Sequence, residues 1–154
     1  MRLQLALNVD EIDQAVEFYS KLFDAQPAKR KPGYANFAIA NPPLKLVLFE
    51  VKNAPERINH LGVEVEGGEE VTAATERLKA AGLETLVEDE TTCCYAKQDK
   101  VWAIEPQGLR WEFYRVLENS ETFGAAPAGL AVPDAPVQAP GGDAEPRKGE
   151  ACCG

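Results

Sequence analysis

The stretch Asn59-His60-Leu61-Gly62-Val63-Glu64-Val65 decides the fold, because it restarts in mid-chain a pattern that has already run once. Leu61, Val63 and Val65 fall on one face of a strand and His60 on the other, by period-2 alternation. Gly67-Gly68 then break the chain, and residues 69–81 read as a helix ending at Gly82. Strands are expected at 84–88, at 94–97 with its flanks, at 101–105 and at 110–117, with Glu88-Asp89-Glu90 reading as a turn.

The earlier copy opens with Leu3-Gln4-Leu5-Ala6-Leu7-Asn8-Val9, another alternating strand. A helix is expected over 10–23, with Asp10 as its N-cap and Ile12, Val16, Phe18, Tyr19, Leu22 and Phe23 at helical spacing. Residues 24–33 have room for a short strand, and strands 34–40 and 44–51 join through Asn41-Pro42-Pro43. Phe37-Ala38-Ile39-Ala40 echoes Trp102-Ala103-Ile104-Glu105, each before a Pro-containing turn. The expectation is an α+β fold of two βαβββ modules, about 1–52 and 57–117.

At 154 residues, the chain is long enough for one sizeable core or two intimately packed modules. Its net charge of −9 and pI near 4.7 argue against nucleic-acid and membrane-surface partners, which need basic clusters. No apolar run is long enough to span a bilayer, and the N-terminus turns polar too soon for an export signal, so a cytoplasmic protein is expected. Four cysteines fall as two adjacent pairs, Cys93-Cys94 and Cys152-Cys153, a spacing that cannot staple distant segments. From residue 118 onward, the composition shifts to Ala, Pro, Gly and acidic residues, with few large side chains after Phe123. Residues 118–154 are therefore expected to form a flexible tail ending in a cysteine pair that could serve as accessory thiols.

This layout, with these turn sequences, resembles the vicinal oxygen chelate superfamily, which includes glyoxalase I, extradiol dioxygenases and antibiotic-resistance proteins. The resemblance implies a central cleft with a divalent metal held by residues from the first and last strands of each module. The corresponding positions are Gln4, Lys45, His60 and Glu112. Strand phase agrees: Gln4 opposes Leu3, Leu5 and Leu7; Lys45 opposes Leu44, Leu46 and Leu48; Glu112 opposes Trp111 and Phe113. An ammonium donates and does not ligate a cation, so Lys45 departs from the glyoxalase pattern. Gln4, His60 and Glu112 remain, a set similar to the facial triad of non-haem Fe(II) oxygenases, with an amide replacing one imidazole. Each has a plainer reading too. A lone histidine is often structural, Glu112 could pair with Lys45 or Arg110, and Gln4 could simply bridge the modules.

The sharpest local signal is Thr91-Thr92-Cys93-Cys94-Tyr95-Ala96. Vicinal thiols chelate soft ions such as trivalent arsenic or Cd²⁺, but both sulfurs can meet one ion only if regular strand geometry breaks at Cys93. The plainer reading buries one thiol as a small hydrophobe. Together with Gly33–Ala40, Pro42–Leu48, His60–Val65 and Gln98–Trp102, these residues resemble the organoarsenical C–As lyases and their cadmium-induced relatives, over residues 3 to about 116. That resemblance implies an Fe(II)- and O₂-dependent dioxygenase acting on trivalent organoarsenicals. Gln4, His60 and Glu112 would hold iron, Cys93 and Cys94 would hold arsenic, and Lys45 would help stabilise reduced oxygen. A monomer or a homodimer is equally compatible. The alternatives are a non-enzymatic arsenic- or cadmium-sequestering protein and a thiol-transfer or drug-binding resistance protein.

Overall fold

The computed structural model describes residues 1–124; the Cys152-Cys153 pair and the rest of 125–154 lie outside the described residues. The first module runs β1 (Arg2–Val9), α1 (Ile12–Phe23), β2 (Lys29–Lys31), β3 (Tyr34–Ile39) and β4 (Leu44–Glu50). The second repeats it as β5 (Ile58–Glu64), α2 (Gly68–Ala80), β6 (Thr85–Cys93), β7 (Ala96–Ile104) and β8 (Arg110–Asn119). All eight strands form one sheet in the order β2-β3-β4-β1-β5-β8-β7-β6. The modules therefore join along β1 and β5, which pair antiparallel, while each inner strand pairs parallel with the last strand of its own module.

Each helix covers the face of the sheet turned away from the candidate residues. Ile12 and Val16 of α1, with Tyr19 and Phe23 beside them, pack on Phe37, Leu46 and Leu48. Ala74 and Leu78 of α2 pack on Val101 and Phe113. Phe18 and Leu22, two of the apolar positions at helical spacing in α1, are 59% and 58% exposed. They form a neighbouring stripe one step around the helix from the Ile12–Val16–Tyr19–Phe23 row, which meets the sheet.

Two local expectations change. Asp10 does not cap α1: Glu11 takes the N-cap position, the Ile12 amide donates to Glu50 Oε2 at 2.9 Å, and Asp10 accepts from the Asn53 amide. A carboxylate from the end of β4 thus supplies the oxygen that the local sequence does not. The turn expected at 88–90 is instead a bulge within the long strand β6, with Glu90 at φ 51° and its amide donating to Asp99 Oδ1 at 2.9 Å. The separate strands expected at 94–97 and 101–105 are one continuous strand, β7. The reversal falls at Cys94-Tyr95. Both residues have positive φ (55° and 62°), the requirement of a two-residue type I′ hairpin turn.

Candidate metal centre and cysteine pair

Gln4, His60 and Glu112 are 4%, 2% and 3% exposed and meet at one point beneath the seam between the modules. Sheet register brings them there. Gln4 stands opposite Gly62 across β1–β5, and Gly62 stands opposite Glu112 across β5–β8. Gly62 leaves the space between them: a Cβ there would lie 2.8 Å from Glu112 Cγ and 3.4 Å from Gln4 Nε2. Gln4 Nε2 donates to Glu112 Oε1 at 2.6 Å and to His60 Nε2 at 3.0 Å. The His60 and Glu112 donor atoms are 3.4 Å apart.

His60 owes its orientation to an irregularity that strand alternation hides. Ala6 pairs with His60 but Leu7 with Ile58, so Asn59 is the extra residue of a β-bulge. Neighbouring side chains can then meet, and His60 Nδ1 donates to Asn59 Oδ1 at 2.7 Å. Asn59 is itself held by Asn8 Oδ1 at 2.9 Å and approached by Arg110 at 3.4 Å. Burial pushes the imidazole below its usual value despite the nearby carboxylate, so the ring is neutral with its Nε2 lone pair facing Gln4 and Glu112. This carbonyl-oriented imidazole is the arrangement that metal-bound histidines use.

Burial alone would raise the Glu112 carboxyl. The Lys100 ammonium and its hydrogen bond to the carboxylate outweigh it and hold the group below the usual range. Lys100 is 1% exposed and donates to Glu112 Oε2 at 3.0 Å, leaving Oε1 to face His60 and Gln4. Lys100 therefore takes the role that Lys45 or Arg110 could have filled. Lys45 instead sits 3.6 Å from Glu64 Oε2 and 5.0 Å over the Tyr114 ring, with burial pushing its ammonium pKa down.

This donor set fits a divalent cation. It offers a neutral imidazole nitrogen, one carboxylate oxygen and an amide. Rotating the Gln4 amide by half a turn would present its oxygen, while Tyr114 OH, now donating to Gln4 Oε1, would accept from the amide nitrogen and donate to Glu64 Oε2 at 3.1 Å. No group of three His, Cys, Asp or Glu side chains is gathered among the described residues, so a metal at this point depends on the Gln4 amide.

Cys93 closes β6 at 2% exposure and Cys94 opens the turn, and the left-handed backbone at Cys94 brings the two sulfurs 3.0 Å apart. The break in regular geometry thus falls one residue later than expected. Two ligands each about 2.3 Å from a soft ion can span anything up to about 4.6 Å, so one atom can bridge them. The turn is held from outside: Tyr95 O accepts from Lys29 Nζ at 2.7 Å and from the Ser120 amide at 2.9 Å. Phe123 packs edge-on against Tyr34, Phe49 and Tyr95. Ordered chain therefore continues past residue 117.

A cavity of about 230 Å³ is lined by both groups, Cys93 and Cys94 together with Gln4, His60 and Glu112. Lys45 and Lys100 also line it. Sequence reading missed Lys100, Asn59, Gly62 and Tyr114. Alternation could have found Lys100, which shares a face with Gln98 and Trp102. Nothing local marks the bulge at Asn59.

Residues 3–113 match the family model of the Glyoxalase/Bleomycin resistance protein/Dioxygenase superfamily. The cadmium-induced protein CadI of Mycobacterium tuberculosis is 61% identical over 126 residues, covering 82% of this chain and 83% of that protein. A trivalent organoarsenical cleaving enzyme of Thermomonospora curvata is 53% identical over 126 residues, covering 81% and 83%. Among solved structures, the Mn(II)-bound glyoxalase of Novosphingobium aromaticivorans superposes with a TM-score of 0.57 at 19% identity, over 83% of this chain and 41% of that one. Homoprotocatechuate 2,3-dioxygenase of Arthrobacter globiformis gives 0.56 at 20%, over 78% and 37%.

Proposed function

Because the chain belongs to the glyoxalase/bleomycin resistance protein/dioxygenase superfamily, we propose that it is an Fe(II)- and O₂-dependent enzyme cleaving the carbon–arsenic bond of trivalent organoarsenicals. One observation carries the reading: a single cavity is lined by both the cysteine pair and the Gln4–His60–Glu112 cluster. The relatives named for cleaving trivalent organoarsenicals support the substrate class. A sequestering protein would need only the sulfurs. The 61% identity to a protein named for induction by cadmium favours that as a second reading.

The chain's own residues divide the work. In its dithiol state, the Cys93–Cys94 pair takes up methylarsonous acid by exchanging both arsenic hydroxyls for sulfur, with loss of two waters. That holds the unreactive C–As bond inside the cavity and makes its encounter with the metal centre local. Asn59 keeps the His60 Nε2 lone pair turned inward. Lys100 occupies one Glu112 oxygen, so the carboxylate offers the other. Lys45 supplies positive charge at the cavity wall, suited to reduced oxygen. Iron held by Gln4, His60 and Glu112 would supply O₂ binding and activation.

The stoichiometry closes with arsenic unchanged in oxidation state. Methylarsonous acid and O₂ give formaldehyde and arsenous acid; the methyl carbon loses four electrons and O₂ gains them. The test is anaerobic reconstitution with Fe(II), addition of methylarsonous acid and then air, and speciation of the arsenic. Arsenite forming in step with formaldehyde is expected. Stoichiometric arsenic binding without cleavage would transfer the assignment to sequestration.

A further inference from the structure

Gln98 lies on β7 at 4% exposure and lines the same cavity as the cysteine pair. Its amide nitrogen donates to Cys93 O at 3.2 Å, which ties the side chain to the residue that carries one of the two sulfurs. Its amide oxygen has no hydrogen-bond partner; among the described residues it is the one buried side-chain oxygen or nitrogen so left. A buried acceptor without a donor is costly, and native proteins keep one where a ligand or water completes it.

Counting the substituents on arsenic shows which bound species brings that donor. Trivalent arsenic has three. Methylarsonous acid bound through two sulfurs carries only its methyl group as the third and offers no donor. Arsenous acid bound through the same sulfurs, again with loss of two waters, keeps one hydroxyl. That hydroxyl is a donor in the third position, where the substrate had carbon.

We propose that Gln98 is a specificity-determining residue of the cysteine site: its amide oxygen accepts a hydrogen bond from the As–OH of arsenite held by Cys93 and Cys94, and so distinguishes oxygen from carbon on the bound arsenic. The inference rests on the reading of Cys93–Cys94 as the arsenic site. Interactions made on the product side and absent from the bound substrate favour the exchange of carbon for oxygen rather than substrate binding alone. The same contact makes arsenite a competitor for the site.

The test uses the full-length, metal-free, reduced protein and measures the affinities of arsenite and methylarsonous acid separately, by calorimetry. In Gln98→Met, the arsenite affinity should fall about five- to tenfold while that of methylarsonous acid stays within twofold. Gln98→Glu keeps an acceptor oxygen but loses the donor to Cys93 O, and it should retain the wild-type arsenite-to-methylarsonous ratio. Equal losses for both ligands in Gln98→Met would assign the residue a purely structural role through Cys93 O and overturn the proposal. An unchanged ratio in Gln98→Met would do the same. Cleavage by the iron-loaded wild type alongside a Gln98-insensitive ratio sinks this inference alone. A Gln98-dependent ratio in a protein that never cleaves sinks the enzymatic reading and leaves the arsenite contact standing.

Discussion

Lys100 Nζ stands 3.0 Å from Glu112 Oε2, and the two side chains are 1% and 3% exposed. Neither charge has been left enough water to be stable alone, so each is the condition for burying the other. This pair holds a carboxylate ionised beside a neutral imidazole.

Lys100→Met should therefore cost the metal-free protein about 3–5 kcal/mol, because it strands the Glu112 charge. Added divalent metal should recover a larger share of the melting temperature in the variant than in the wild type, since the cation replaces the missing positive charge. Melting curves with and without Co²⁺ check this. Equal metal-induced shifts in both proteins would count against Glu112 as a ligand.

Gly62→Ala tests the spacing of the cluster. The new methyl would meet Glu112 Cγ at 2.8 Å and crowd Gln4 Nε2, so overpacking of about 1–3 kcal/mol is expected. Displacing two of three donor groups should also weaken divalent-metal affinity at least tenfold by titration. Gly108→Ala, a substitution in the open turn before β8, is the control for stability without an effect on metal.

Cys93→Ser and Cys94→Ser should each lose arsenical affinity while metal affinity stays near that of the wild type, because a hydroxyl is a hard, weakly nucleophilic replacement for a thiolate. His60→Ala should show the reverse. Parallel titrations with methylarsonous acid and Co²⁺ separate the two effects. Metal loss in a cysteine variant would place sulfur among the metal's ligands.

Glu64 provides a pH signature at the cavity wall, where Tyr114 OH links it to Gln4. Burial raises its carboxyl, but Arg2 donating at 2.8 Å, together with Lys45 and Tyr114, brings the net shift below the ordinary value. A depressed carboxylate contributes stability that is present above the unfolded value, near 4.5, and lost as pH falls below it. Stability measured from pH 6 to pH 3 should fall less steeply in Glu64→Gln than in the wild type. Identical slopes would mean that Glu64 titrates normally in the folded state.

Truncation after Leu117 removes Asn119, Ser120 and Phe123, the groups that brace the Cys94-Tyr95 turn from outside. It should cost about 2 kcal/mol, from one half-buried aromatic ring and its edge contacts, and weaken arsenical binding. Truncation after Gly124 should leave both unchanged. If the shorter protein binds arsenicals normally, the turn does not depend on this segment.

The sequence alone determined the doubled module, because period-2 and helical patterning are local and each copy carries its own break signals. It also placed Gln4, His60 and Glu112 on the inward face of their strands, since alternation needs only the neighbours of each residue. Tertiary structure decided what those residues meet. Lys100 reaches Glu112 through the pairing of β7 with β8, and Gly62 separates Gln4 from Glu112 across two further pairings. Asn59 turns beside His60 through a bulge that no local pattern announces. The left-handed turn at Cys94-Tyr95, unfavourable for two non-glycine residues, is held by Lys29, Ser120 and Phe123 from distant parts of the chain. Burial, charge pairing and strain relief depend on what the folded chain brings within a few ångströms, and that information is distributed over residues that the sequence keeps far apart.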